Sequence, residues 1–323
     1  MIRLISRTST YNKLISTKLT KLNYSTARDK SLDNAYKFIF NQNLVQSEDI
    51  RNSLELKETE VDHRGIYTNN YIPKGTVVSQ ELPVSAVLSQ DRLNNSNCPQ
   101  CFGPVEVKKD DEKLTNDHMY CSDECAYDSM LYHQIKEYQE LQTYFRGEIR
   151  QYPLLITNII FEVLKQFQQQ KQSPLYTVLP LLSFVKQDFI PELYKTDYNM
   201  IKDKLFKDDV NKQKYFDLNW YCKVMSILDI NSFKIVTNDL KATGVGLYLF
   251  SSFFNHSCDA NLQVEFRKVG MELSATRDIL PGEQLYISYL DRDKFENQKE
   301  VKKFLAQKYG FKCNCKYCKG VEI

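Results

Sequence analysis

Asn255-His256-Ser257-Cys258-Asp259-Ala260-Asn261, taken with Cys313-Asn314-Cys315-Lys316-Tyr317-Cys318 near the end of the chain, decides the reading. The terminal run offers three sulfurs and lacks a fourth nearby, and Cys258 is the obvious distant donor. A tetrahedral zinc ion takes four such ligands at about 2.3 Å each, commonly delivered by short knuckles. Cys98-Pro-Gln-Cys101 and Cys121-Ser-Asp-Glu-Cys125 supply a second complete set. Eight of the nine cysteines thus partition into two four-sulfur sets, and two zinc ions are expected. An odd count without a secretory signal is a poor disulfide framework. Cys98 and Cys101 also fit a redox dithiol, but that chemistry wants the first cysteine at a helix N-terminus. Phe102-Gly103-Pro104 follows instead, which is turn chemistry. The ninth cysteine, Cys222, lies beside Trp220 and Tyr221 and reads as an inert buried thiol.

Around these clusters the chain has 323 residues, room for about two domains. It carries 43 Lys+Arg against 41 Asp+Glu, and the balance is uneven. Residues 1–28 hold Arg3, Arg7, Lys13, Lys18, Lys21 and Arg28 and no acid, which leaves the rest at 37 basic against 41 acidic. An acidic body argues against direct nucleic-acid binding through the phosphate backbone. At 42% hydrophobic and 12% aromatic the composition supports a packed core. No apolar run approaches the 18 or so residues of a membrane span, so no membrane association is expected. Residues 1–28, basic and rich in Ser and Thr, match a mitochondrial transit peptide; the alternative is a basic tail on a cytoplasmic or nuclear protein.

Residues 29–60 read as a polar, partly helical lead-in. From Val61 the texture is short strands joined by turns such as Pro73-Lys74-Gly75, with a further strand over Val84–Leu88. Ala126 to about Asn231 is mostly helical; Leu154, Leu155, Asn158, Ile159, Glu162 and Val163 follow a 3.6-residue period. Strands and turns return after Asn231, with a strand over Gln284–Tyr289. A charged helix over Lys294–Lys308 then ends at a Gly310 cap.

Five motifs occur in order: Asn231-Ser-Phe, Gly244-Val-Gly-Leu-Tyr248, Asn255 to Asn261, Gly282-Glu-Gln-Leu-Tyr-Ile-Ser-Tyr289 and the terminal Cys-x-Cys-x-x-Cys. Together they resemble a SET-domain protein-lysine methyltransferase of the SET-and-MYND (SMYD-like) type, over roughly residues 61–320. The resemblance implies an α+β SET fold, with short strands in small sheets and a pseudoknot. The SET domain would span 61–293, split by a MYND-like zinc module at 95–137 and a helical insert at 138–230. A post-SET zinc segment would follow at 294–323, with no long helical C-terminal domain. The MYND-like module is reduced: its middle cysteine pair is missing, and Glu137 stands where the last cysteine would fall. That leaves one zinc site there, with His133 read as a helix surface or packing residue and a metal ligand as the alternative.

The resemblance also implies a chemistry. S-adenosylmethionine and the lysine of a protein substrate, histone or not, would meet from opposite sides in a narrow channel. Tyr289 matches the tyrosine that orients the transfer, although a core aromatic at a strand end is the plain alternative. Asn231, Asn255 and His256 match cofactor contacts, Gly65 and Ile66 the cofactor-binding turn, and Phe311 the aromatic near the adenine. Tyr309 matches a residue lining the lysine channel. A proline-rich peptide is the partner implied for the MYND-like module. Two positions depart from the family: His63-Arg64-Gly65 keeps one glycine where two are frequent, and Ala260 replaces a usual proline. The competing function is a catalytically silent SET fold acting as a zinc-stabilised interaction module.

Overall fold

Short strands bounded by turns are all this sequence offers around its motifs, and they assemble as several small sheets. The computed structural model describes residues 48–59, 63–89, 97–105, 120–133, 135–147, 150–170, 173–184, 189–237 and 243–320. The transit-like segment 1–28 and most of the lead-in lie outside the described residues. The described end of the lead-in is a helix, Glu48–Ser53, followed by a strand, β1 (Leu54–Thr59). β1 pairs antiparallel with β2 (His63–Thr68) from Leu54↔Thr68 to Thr59↔His63.

β3 (Val77–Glu81) and β4 (Ser85–Leu88) are neighbours in sequence but join different sheets. β4 pairs with β6 (Thr243–Leu247), which also pairs with β5 (Ser232–Val236). β3 pairs with β9 (Gly270–Ala275), whose other neighbour is β8 (Leu262–Arg267). Between them, β7 (Asn255–His256) runs parallel to β10 (Tyr286–Ile287). The expected strand over Gln284–Tyr289 is thus a two-residue ladder. Gln284 bridges to Tyr67 instead, and Tyr289 turns its N–H to a side chain.

The helical insert covers one sheet. Its longest helix, Tyr152–Gln170, keeps Pro153 in the first turn, where a missing N–H is tolerated. Leu155, Ile156, Ile159, Ile160 and Val163 are each at most 1% exposed. Each such side chain contributes about 1.5–3 kcal/mol when removed from water. Ser85 Oγ donates to Leu155 O at 3.1 Å, which fastens this helix to β4. The last helix of the insert, Leu218–Asn231, is capped by Asp217, whose carboxylate accepts from Trp220 N at 2.7 Å. Asn231 therefore sits where helix becomes strand, directly before β5. Cys222 on the same helix is half-buried, less enclosed than its apolar neighbours suggested. Burial, with the Asp217 charge second, pushes its thiol up to about 11, so it stays protonated.

The charged C-terminal helix begins later than its composition suggests. Asn297 accepts from Lys299 N and Glu300 N at 3.0 and 3.1 Å, so the helix runs over Gln298–Tyr309. Arg292–Lys294 form a separate 3-10 turn. Gly310 ends the helix at φ +73°, a left-handed conformation that glycine adopts without strain. No helix among the described residues is long and apolar enough to cross a membrane.

Candidate active site and metal centres

The first cysteine cluster is built on a tight turn. Cys98 N–H donates to Gly103 O, and Phe102 N–H to Cys98 O, both at 2.8 Å. Phe102 takes φ +64°, and Gly103 N–H points at Cys101 Sγ, 3.4 Å away. That turn leaves no helix dipole at Cys98, so the redox dithiol loses its physical basis. A helix starting at Asp123 delivers Cys125 to the same place. All four sulfurs, of Cys98, Cys101, Cys121 and Cys125, lie within 4.8 Å of one another. Tetrahedral zinc–thiolate geometry needs sulfurs about 3.8 Å apart, and Cys101–Cys121 and Cys121–Cys125 stand at 3.4 and 3.7 Å. A hydrogen bond from the Cys101 thiol holds Cys98 down at about 5, which makes it ready to ligate as thiolate. The knuckle also docks: Cys101 O accepts from Val269 N at 2.9 Å. The Phe102 ring lies against Gly244 of β6, where any Cβ would stand 2.5 Å from it. Glu137 is exposed in the first turn of the helix Lys136–Gly147 and takes no part in the cluster. The side chain of His133 lies outside the described residues.

The second cluster joins residues far apart in sequence. Cys258, Cys313, Cys315 and Cys318 also place their sulfurs within 4.8 Å of one another, with Cys258–Cys318 at 3.6 Å. Cys313 is held low, at about 3, chiefly by a hydrogen bond from Cys258, whose own proton is retained correspondingly harder. Both donor sets suit zinc: all-sulfur, four-fold and compact.

Against this second cluster stands a group of aromatic rings. Tyr289 lies 5.1 Å from Tyr309, 5.2 Å from His256 and 6.3 Å from Phe311, between ring centroids. Phe311 is 6.0 Å from His256 and 6.3 Å from Tyr309. The Tyr289 hydroxyl donates to Phe254 O at 2.6 Å, and its backbone N–H donates to His256 Nδ1 at 3.0 Å. Tyr289 is thus fixed at both ends. These four rings come from β7, the turn after β10, the end of the helix Gln298–Tyr309 and the segment just past Gly310, so tertiary structure alone assembles them.

The rest of the expected site adjoins β2. Asn255 Nδ2 donates to Arg64 O. A Cβ on Gly65 would stand 2.1 Å from Gln284 Nε2 and 3.0 Å from Asn255 Nδ2, so this close approach requires glycine. Ile66 is fully buried behind it, and its carbonyl accepts from Leu285 N at 2.8 Å. Asn231 stands on a different footing. Its Nδ2 donates to Ser183 O at 2.6 Å and Ile227 O at 2.8 Å, so both amide protons stay within the protein.

Four contributors were assigned no role from the sequence, although Asn261 and Gln284 lie within quoted motifs. Arg64 donates to Leu181 O and lies over the Phe253 ring at 4.4 Å, tying β2, which holds Gly65 and Ile66 in a strand and not in the expected turn, to the helical insert. Gln284 accepts from both the Tyr67 and Tyr286 hydroxyls, at 2.8 and 2.7 Å. Asn261 donates to Gln284 O and accepts from Tyr286 N, at 2.9 and 2.8 Å, closing the loop between β7 and β10. Buried Glu81 at the end of β3 accepts from Phe250 N, Ser251 N and Ser251 Oγ at 2.7–2.9 Å. It anchors the turn that precedes Asn255. Burial pushes its carboxyl up to about 7 against the opposing pull of those donors. Only the Glu before Leu82-Pro83 at a strand end hinted at it.

The family model for the SET domain matches residues 63–290. A SET and MYND domain-containing protein of Dictyostelium discoideum is 30% identical over 318 residues, 89% of this chain and 91% of that one. The histone-lysine N-methyltransferase ATXR4 of Arabidopsis thaliana is 25% identical over 288 residues, 82% of this chain and 85% of that one. A solved SET domain of LSMT, bound to lysine and AdoHcy, has a TM-score of 0.40 and 12% identity, covering 88% of this chain and 58% of that one. The chain belongs to the SET-domain family, of the SET-and-MYND kind.

Proposed function

We propose that this SET-domain methyltransferase moves methyl groups from S-adenosylmethionine to a lysine side chain of a protein substrate, histone or non-histone. The observation that carries the reading is Tyr289, clamped through its hydroxyl and its N–H inside the ring group of His256, Tyr309 and Phe311. The donor set suits the cofactor, because aromatic faces and backbone carbonyls both favour a cation such as a sulfonium. When bound, S-adenosylmethionine supplies the activated methyl group. Asn255, Gly65 and the backbone around them would hold it, with Phe311 beside its ring system.

The residues then have three tasks. Tyr309 and Tyr289, 3% and 8% exposed, offer the incoming amine an environment nearly free of water. A free lysine has a pKa of about 10.4, and desolvation disfavours its charged form, so the amine sheds its proton as it enters. Tyr289 holds its hydroxyl oxygen in one place because the proton is committed to Phe254 O. Transfer in line between two such held partners draws its rate from alignment and excluded water, with no strong base required.

Labelled cofactor incubated with fractionated lysates tests the reading, with Tyr289→Phe as control. Label entering a protein band with the native chain and fading with the variant is the expected result. A native chain that gains no thermal stability from S-adenosylmethionine would instead be a silent interaction module. We also propose a mitochondrial location from residues 1–28. Residues 1–35 fused to a fluorescent reporter should reach mitochondria and be shortened there; a diffuse or nuclear signal at unchanged size overturns it. A proline-rich peptide remains the proposed partner of the MYND-like module, to be checked by titrating such a peptide.

A further inference from the structure

We infer that the His256 imidazole is a bridge through which the C-terminal zinc cluster positions Tyr289. The inference rests on the function proposed above for Tyr289; the bridge itself stands on geometry. His256 Nδ1 accepts the Tyr289 N–H at 3.0 Å, so that nitrogen carries no proton. In a neutral ring the proton then sits on Nε2. Nε2 lies 3.2 Å from Cys258 Sγ, one of the four clustered sulfurs. A thiolate bound to a metal is a hydrogen-bond acceptor, and ligand atoms are commonly oriented by such outer contacts. The ring is 7% exposed, which leaves little water to satisfy either nitrogen instead.

The backbone shows why a side chain is needed here. β7 and β10 form a parallel ladder, and Ser257 N–H donates to Ile287 O at 3.1 Å. The next rung of a regular parallel ladder would give the Tyr289 N–H the carbonyl of Ser257. The chain instead bends toward Cys258, and the imidazole two positions before that ligand takes the N–H. The same cluster secures the opposite side of the ring group, because Phe311 is two residues from Cys313. His256 is therefore a positioning residue: one nitrogen reads the cluster and the other sets the tyrosine.

Two substitutions divide the bridge. Asn at 256 retains an acceptor near the Nδ1 position and loses the donor to sulfur; Gln retains a donor near Nε2 and loses the acceptor for Tyr289. Full-length chain loaded with cobalt(II) reports on the sulfur contact through its thiolate charge-transfer bands, while the other cluster contributes equally to every sample. His256→Asn should shift those bands and His256→Gln should leave them in place. Both should lower kcat at least tenfold, with cofactor affinity changed less than threefold. Unshifted bands in His256→Asn would remove the hydrogen bond to sulfur and the inference with it. Cofactor affinity falling tenfold at unchanged kcat would make the ring a cofactor ligand and overturn it equally. If the native chain transfers no methyl group, the proposed function fails while the cobalt bands still decide the sulfur contact. Should neither variant fold, long-range proton–nitrogen spectra of the histidine-labelled native chain supply the answer. A His256 ring protonated at Nε2 supports the bridge; one protonated at Nδ1 ends it.

Discussion

At the scale of single residues, the site depends on atoms that are committed on more than one side. Tyr289 uses its N–H and its hydroxyl within the protein, so its oxygen is placed before any substrate arrives. Tyr289→Phe should lower turnover by about a hundredfold, the usual loss of one aligned polar group in a transition state. Cofactor affinity should stay within threefold, and comparing kcat with calorimetric binding checks both. Undiminished turnover would move the role to another tyrosine, and the structure offers poor substitutes. Tyr248 is fully buried with its hydroxyl on Val269 O at 2.6 Å, and Tyr286 bonds Gln284. Glu81 makes a different prediction. Its carboxyl is raised to about 7 in the folded chain from 4.5, so the folded state holds this proton more tightly than the unfolded one. The contribution to stability is complete below about pH 4.5 and is lost as pH rises through about 7. The thermal midpoint of the native chain should fall relative to that of Glu81→Gln, which stays neutral, as pH rises from 4.5 to 8; a constant difference would show that Glu81 does not titrate there.

At the scale of elements, the helix Gln298–Tyr309 matters because its last residue is Tyr309. Its start is set by Asn297 and its end by Gly310. Asn297→Ala removes the acceptor for two backbone N–H groups and should cost about 1 kcal/mol. Amide exchange should quicken first over residues 298–301, and a denaturation midpoint checks the total. The ladder of β7 and β10 is the other decisive element. Two residues long, it is too short to stand alone, and Asn261 reinforces it with two side-chain hydrogen bonds to Gln284 and Tyr286.

At the scale of the whole molecule, two four-cysteine clusters, each suited to zinc, lie where inserted and terminal segments meet the SET core. The first is pinned by Phe102 and by Cys101 O, the second through Cys258 itself. Elemental analysis should find two zinc ions per chain, and removing them with a strong chelator should lower the thermal midpoint and abolish transfer. One ion would break the pairing of Cys258 with the terminal cysteines. Three would require ligands outside the described clusters.

Much of this was determined by sequence alone. Cysteine spacing within each knuckle, the order of five motifs, and the glycine and asparagine turns are local properties, and local geometry follows from residue type. Cys258 could be matched to the terminal cysteines because a tetrahedral site demands four ligands and, of the two cysteines left, Cys222 stands in an apolar stretch beside Trp220 and Tyr221. Tertiary structure decided the rest. The strand at Leu54–Thr59 gains its form from pairing with β2, so its polar residues did not announce it. Gln284 and Glu81 are ordinary polar residues until folding buries them against particular N–H and O–H groups. Asn231 was legible as a motif, yet the carbonyls its amide reaches belong to residues 183 and 227, and only packing brings the first of these near. The contact between His256 and both Tyr289 and Cys258 arises where a ladder ends and the chain bends, a geometry that no run of residue letters specifies.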